Sequence, residues 1–248
     1  MLTSVLLFIT VFAMAAVSTA VGPGGGVVFA VMAVVLPAPA VVPVHAAIQS
    51  GGSLVRLTVL RDFVDRRSLA AFVLGGMIGT VPAAFLIARI ELDPAWLGLG
   101  LGLATLGPLL IATSRSTPVA GSKAALATLG IWTSFLTVFV GATGSVVGSV
   151  LGRYHPRQSE RVATHAGCLA YQHFAKIVVY ASLGFSFVRF LPLIGGLLTA
   201  SALGTLVGRR LLVRTSNEVL RAVFDLVTLG LGTFLCVRGG LQLLYRAS

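Results

Sequence analysis

Apolar runs long enough to cross a lipid bilayer recur from one end of this 248-residue chain to the other. A spanning helix needs roughly 17–25 such residues. No polar stretch between the runs is long enough to fold as a separate soluble domain. Charged residues make up 10% of the chain, against about 25% in an ordinary soluble domain. That is too little polar surface to wrap a water-soluble globule. The chain therefore reads as an all-α polytopic membrane protein, with residues 1–248 forming one transmembrane domain.

The formal net charge is +11. The basic residues stand in short clusters between apolar runs: Arg61, Arg66 and Arg67; Arg153, Arg157 and Arg161; Arg209, Arg210 and Arg214. Clusters of this kind mark cytoplasmic loops, not a nucleic-acid stripe, so no nucleic-acid partner is expected. Cys168 and Cys236 lie in apolar segments without metal-ligand spacing, as small buried hydrophobes do. Residues 1–20 are apolar and end in small residues, like a signal peptide, but no basic n-region precedes them. They are read as retained structure.

Two glycine motifs divide the chain. Gly22-Pro23-Gly24-Gly25-Gly26 follows an apolar run, and Pro37 comes fifteen residues after Gly22. Gly141-Ala142-Thr143-Gly144-Ser145 also follows an apolar run, and Pro156 comes fifteen residues after Gly141. The offset is 119 residues in both cases. His45-Ala46 and His165-Ala166 then recur at nearly the same offset, and Gly79-Thr80 matches Gly204-Thr205. The order of these matches predicts a duplication, with one repeat over 1–115 and the other over 120–248. Each repeat contains about four apolar segments, near 3–43, 44–60, 68–90 and 95–113, then near 122–152, 160–183, 187–210 and 217–241.

The opening segment of each repeat is too long for one span and is cut by its glycine motif. If it crosses once, the basic residues divide evenly between the two sides. If it dips in and returns, Arg56, Arg61, Arg66, Arg67, Arg115, Lys123, Arg153, Arg157, Arg161, Arg209, Arg210 and Arg214 share one face, and only Arg89, Arg189 and Arg246 oppose them. The positive-inside bias selects the second reading: basic loops cytoplasmic, both termini outside, in an inner cell membrane. Each repeat then opens with a Gly-broken re-entrant hairpin and makes three crossings. An odd number of crossings inverts one repeat relative to the other, as in many secondary transporters.

At the tip of such a hairpin, Gly24, Gly25 and Gly26 let the backbone turn and approach a ligand. The free N–H groups at the start of the returning helix, with its positive dipole end, suit an anion. In the second motif, Thr143 and Ser145 add hydroxyl donors. The bland alternative is close helix packing.

The run from Gly22 through Pro37 to His45-Ala46-Ala47-Ile48-Gln49-Ser50 resembles the first half of the TauE/SafE-type sulfite exporter family. The run from Gly141 through Pro156 to Ala163-Thr164-His165-Ala166 is similar to that family's second repeat. The resemblance covers nearly the whole chain. It implies a permease for sulfur oxyanions, organosulfonates or other organic anions. Pro23 departs from the first motif, and the second keeps only Gly141 and Gly144.

Ionisable groups at membrane depth are costly and tend to be functional. Lys176 lies deep in the sixth segment, three residues from His173 and so on the same helix face. It is placed to attract an anion or to pair with Asp225, unless it snorkels to the interface. His45, His165 and Asp225 are the candidates for coupling proton movement to anion movement, and Gln49 and Gln172 for neutral donors in the same site. The substrate-binding set is thus Gly22, Gly24, Gly25, Gly26, Gly141, Thr143, Gly144, Ser145, Gln49, Gln172 and Lys176. No catalytic residue, cofactor or metal is expected. The partners are a small anion, the lipid bilayer and, as an open alternative, further copies of the chain. No GxxxxGK[ST] motif supplies an ATPase. Two competing readings are an intramembrane serine hydrolase, with Ser145 as nucleophile and His165 or His173 as base, and a non-transporting assembly subunit.

Overall fold

The computed structural model describes residues 2–21, 24–89, 95–96, 99–100, 103, 106, 122–139, 143–155, 157–214 and 217–247. Among them the chain forms nine α-helices and two short 3-10 turns, with no β-strand. The helices are α1 (Leu2–Val21), α2 (Gly25–Val35), α3 (Ala38–Val59), α4 (Arg66–Ile87), α5 (Lys123–Phe139), α6 (Gly144–Tyr154), α7 (Gln158–Ser182), α8 (Leu191–Arg214) and α9 (Asn217–Ala247). The segment expected near 95–113 lies largely outside the described residues.

Local chemistry sets the helix ends. Asp65 caps α4, its carboxylate accepting from the N–H of Arg67 at 2.9 Å and of Ser68 at 3.3 Å. After α7 the chain turns through Gly184 at φ 86°, the left-handed conformation that glycine adopts without strain. Phe185 N–H donates to Tyr180 O and Gly184 N–H to Ala181 O, both at 3.0 Å, which completes a Schellman cap.

The opening segment is broken, as expected, but the segment boundary expected at residue 43 falls at Leu36–Pro37. Pro37, with φ −57°, is the N-cap of α3, and Pro43 rides inside that helix. The ring of Pro37 cannot continue α2, whereas a proline inside a helix is accommodated when neighbouring groups satisfy the freed carbonyl. The two short helices α2 and α6 have eleven residues each, about 16 Å of rise. The helices before them are longer: α1 has 20 residues and α5 has 17.

At the centre of the molecule α3 packs against α7. Every residue from Ala40 to Ala46 and from Val162 to Ala170 is buried, the mark of helices enclosed on all sides. The His45 and His173 rings are 5.4 Å apart, Leu57 reaches Gly167, and Asp65 N–H donates to Thr164 Oγ1 at 3.0 Å. Residue numbers rise along α3 as they fall along α7, so the pair is antiparallel.

Two further pairs flank this axis: α1 with α8, and α4 with α5. Both rely on glycines without room for a side chain. A Cβ on Gly79 would collide with the carbonyl of Ile131, and one on Gly204 with the carbonyl of Phe12. Phe12 and Ile131 are separated by the same 119 residues that relate Gly22 to Gly141. Small residues that let helix backbones approach are the usual basis of packing in lipid.

Outer faces are apolar. Leu74, Ile78, Val81 and Phe85 of α4, Ile9 of α1, Trp132 of α5 and Leu226 of α9 are all more than half exposed. Among the described residues, α4 and the stretch Phe187–Leu211 are long and apolar enough to cross a membrane by length and composition. His45, Gln49, Ser50, Ser53 and Arg56 of α3 and Thr164, His165, Gln172, His173 and Lys176 of α7 are buried instead.

Candidate functional site

The starts of α2 and α6 are built alike. Gly24 is the N-cap of α2, with Ser18 of α1 filling the space where a Cβ would go. Gly25, the first helical residue, stands beside the middle of α3. His45 Nε2 lies 3.0 Å from Gly25 O, and a Cβ on Gly25 would sit 3.3 Å from the Gln49 amide. A carbonyl can only accept, so His45 donates from Nε2 and its Nδ1 is the bare nitrogen. Phe29 packs edge-on against the same ring, with centroids 4.9 Å apart.

Gly144, the first residue of α6, stands beside the middle of α7. His165 Nε2 donates to Gly144 O at 2.7 Å. Leu169 takes the place beside Gly144 that Gln49 takes beside Gly25, 3.3 Å from where a Cβ on Gly144 would stand. Thr143 Oγ1 makes a long 3.5 Å contact to Gln172 Oε1. The Gln172 amide nitrogen donates to Thr133 Oγ1 at 2.9 Å and to Ser134 Oγ at 3.3 Å. The two short helices touch one another.

Of the expected site residues, Gly24, Gly25, His45 and Gln49 come together at the first helix start. Thr143, Gly144, His165 and Gln172 come together at the second. Gly26 and Ser145 lie in the first turns of α2 and α6. Gly22 and Gly141 lie outside the described residues. Asp225 falls within α9, but its side chain, and with it the expected pairing with Lys176, lies outside them too. The backbone N–H groups at these starts have no acceptor within their own helices.

Lys176 does not snorkel. It is fully buried at 0% exposure, and its Nζ has no hydrogen-bond partner among the described residues. Two members of the site escape a reading of the sequence. Arg56 groups there with the basic face, yet it is 3% exposed and its Nε has no partner among the described residues. His173, read in sequence as sharing a face with Lys176 and as a base for the competing hydrolase reading but not as a member of this site, is buried with Nδ1 unpartnered among the described residues. One signal could have found Arg56: it and Lys176 stand 120 residues apart, as His45 and His165 do.

At one end of the bundle the starts of α4 and α7 meet. Besides the Asp65–Thr164 bond, His155 Nε2 lies 3.8 Å from Asp65 Oδ2, and His155 Nδ1 lies 4.0 Å from Glu160. Partial burial works against the Asp65 charge. Hydrogen bonds from the Ser68 hydroxyl and the N–H groups of Arg67 and Ser68, with His155 nearby, outweigh it and hold the carboxyl below its usual range.

Residues 7–235 match the family model described as sulfite exporter TauE/SafE. No curated protein and no solved structure matches the chain.

Proposed function

We propose, from the premise that this chain belongs to the sulfite exporter TauE/SafE family and is a membrane transporter of that type, that it is a secondary permease carrying a small anion by alternating access. The cargo is a sulfur oxyanion or organosulfonate, and the setting is an inner cell membrane. The observation that carries this reading is the pair of matched hydrogen bonds, His45 to Gly25 and His165 to Gly144. Each fixes the carbonyl of the first residue in a short helix and so holds that helix start against the central axis. A helix start of this kind binds anions without a basic side chain.

An inverted duplication accounts for the equal lengths of α2 and α6, the antiparallel α3–α7 axis and the matched glycine contacts of α1–α8 and α4–α5. In this reading repeats 1–115 and 120–248 form one domain, the glycine motifs are opposed re-entrant tips, and the flanking pairs rock about the central axis. Gln49, Gln172, Thr143, Ser145 and Lys176 complete the binding set. The bare Nδ1 atoms of His45 and His165 are the proton acceptors, with Asp225 as a third candidate. Arg61, Arg66, Arg67 and Arg157 are exposed and belong to the end of the bundle where Asp65 meets Thr164. This supports a cytoplasmic assignment for that end.

The test is flux of sulfite, thiosulfate, sulfate and small sulfonates in proteoliposomes, with and without a pH gradient. Saturable flux of at least one anion, faster under one direction of the gradient, is expected. No flux of any of them under either gradient would refute transport of this class.

A further inference from the structure

The two buried cations have a relationship that the helix-start reading does not use. Arg56 and Lys176 occupy matched positions of α3 and α7, each eleven residues beyond the histidine that holds its own glycine carbonyl. Both are more than nine-tenths buried and neither has a salt-bridge or hydrogen-bond partner at Arg56 Nε or Lys176 Nζ among the described residues. Because α3 and α7 are antiparallel, each cation lies level with the other repeat's histidine. The 5.4 Å separation of the His45 and His173 rings and the approach of Leu57 to Gly167 set this register, with Lys176 near the level of His45 and Arg56 near that of His165.

Helical side chains lean toward the N-terminus of their own helix. In an antiparallel pair the two leanings converge. Arg56 leans from the end of α3 toward its middle, and Lys176 from the far side of α7 toward its middle, where Gln49, Gln172 and the two glycine starts lie. A buried cationic nitrogen without a partner is strongly unfavourable, and Arg56 Nε and Lys176 Nζ are two such nitrogens on side chains that lean toward one level of the bundle.

We propose that Arg56 and Lys176 bracket a single substrate anion from opposite sides of the membrane midplane, and that together they select a dianion over a monoanion of the same head-group size. Arg56 thereby becomes a specificity-determining residue, although it stands beside the basic loop cluster in sequence. Its planar fork contacts two oxygens of an oxyanion at once, and Lys176 acts as a point charge on the other side. Each repeat contributes one cation, so the site is whole only while α3 and α7 are packed together. This inference rests on the transport reading above and adds the charge class of the cargo.

The test is competition in proteoliposomes: unlabelled sulfate or methanesulfonate against uptake of radiolabelled thiosulfate. The wild-type protein should prefer sulfate to methanesulfonate by about tenfold or more, and Arg56→Gln should erase most of that ratio. Lys176→Gln should erase it independently, and Arg56→Lys, which keeps the charge, should retain it. A purely structural role for Arg56 would lower uptake without moving the ratio, so a wild-type ratio in Arg56→Gln overturns the assignment. Should Arg56→Gln not fold, the Lys176→Gln ratio decides alone, and a wild-type value there overturns the bracket. Wild-type liposomes that move no anion would overturn the transport reading itself; flux with no preference between sulfate and methanesulfonate would overturn only this inference.

Discussion

Valine introduced at two different glycines should give opposite phenotypes. At Gly25 the new Cβ meets the Gln49 amide at 3.3 Å. That neighbour is the free end of a flexible side chain and can rotate away. At Gly79 the Cβ meets the backbone carbonyl of Ile131. That group is fixed in α5 and can yield only if two helices separate. Overpacking of this second kind costs about 1–3 kcal/mol, while a rotamer shift of Gln49 costs under about 1.5 kcal/mol. Gly25→Val should therefore insert, remain monodisperse in detergent and melt near the wild-type temperature. Its branched side chain nevertheless displaces Gln49 and crowds the N–H groups of the first turn of α2, so anion flux should fall to background. Gly79→Val should show the reverse: low yield or a lowered melting temperature, with flux per folded molecule retained. Gly204→Val, against Phe12, should behave like Gly79→Val. The assay pairs thermal melting in detergent with flux normalised to folded protein. Wild-type flux from Gly25→Val would refute the proposed role of the glycine start.

Lys176→Met should raise thermal stability by about 1 kcal/mol or more, because it removes a buried cation without a partner among the described residues, and should leave flux lowered but measurable; a less stable variant would show that Lys176 is paired in the folded protein. His45→Ala and His165→Ala should each cost about 1–3 kcal/mol through the lost carbonyl hydrogen bond and should blunt the response of flux to a pH gradient, as followed by a pH dye inside the liposomes. Asp65→Ala should destabilise by about 1 kcal/mol through loss of the α4 cap, measured by urea or thermal titration. The Asp65 carboxyl is held below its usual range in the folded protein. Its contribution is therefore present above the unfolded value near pH 4 and fades as the pH falls through the lower folded value, so the mutant and wild-type melting curves should converge in acid.

Much of the helical plan is legible because its signals are local. Apolar runs, glycine breaks and the 119-residue offset need no tertiary information, and α4, α7 and α8 begin and end close to where hydropathy puts them. The boundary expected at residue 43 is displaced to Pro37 because two prolines six residues apart offer equivalent breaks in one dimension; only packing decides which one stays helical. The burial of Arg56 is missed from sequence for a related reason. Proximity to Arg61, Arg66 and Arg67 groups it with the loop, whereas its direction around α3 turns it inward. The repeat holds the correction, since Lys176 already reads as a charge at membrane depth and Arg56 is its counterpart. Gln172 is expected as a ligand donor, yet its amide nitrogen is engaged by Thr133 and Ser134, hydroxyls on α5 that no linear motif connects to it.

Anomalous scattering from selenite, a heavier analogue of sulfite, is the most direct look at the helix starts. Crystals of the wild-type protein grown with selenite should show a selenium peak within hydrogen-bond distance of the amides opening α2 or α6, and Gly25→Val crystals should lose it at α2. A peak found only among the exposed arginines near Arg61 and Arg157, with the glycine amides turned onto neighbouring helices, would contradict an anion site at the starts of the two short helices.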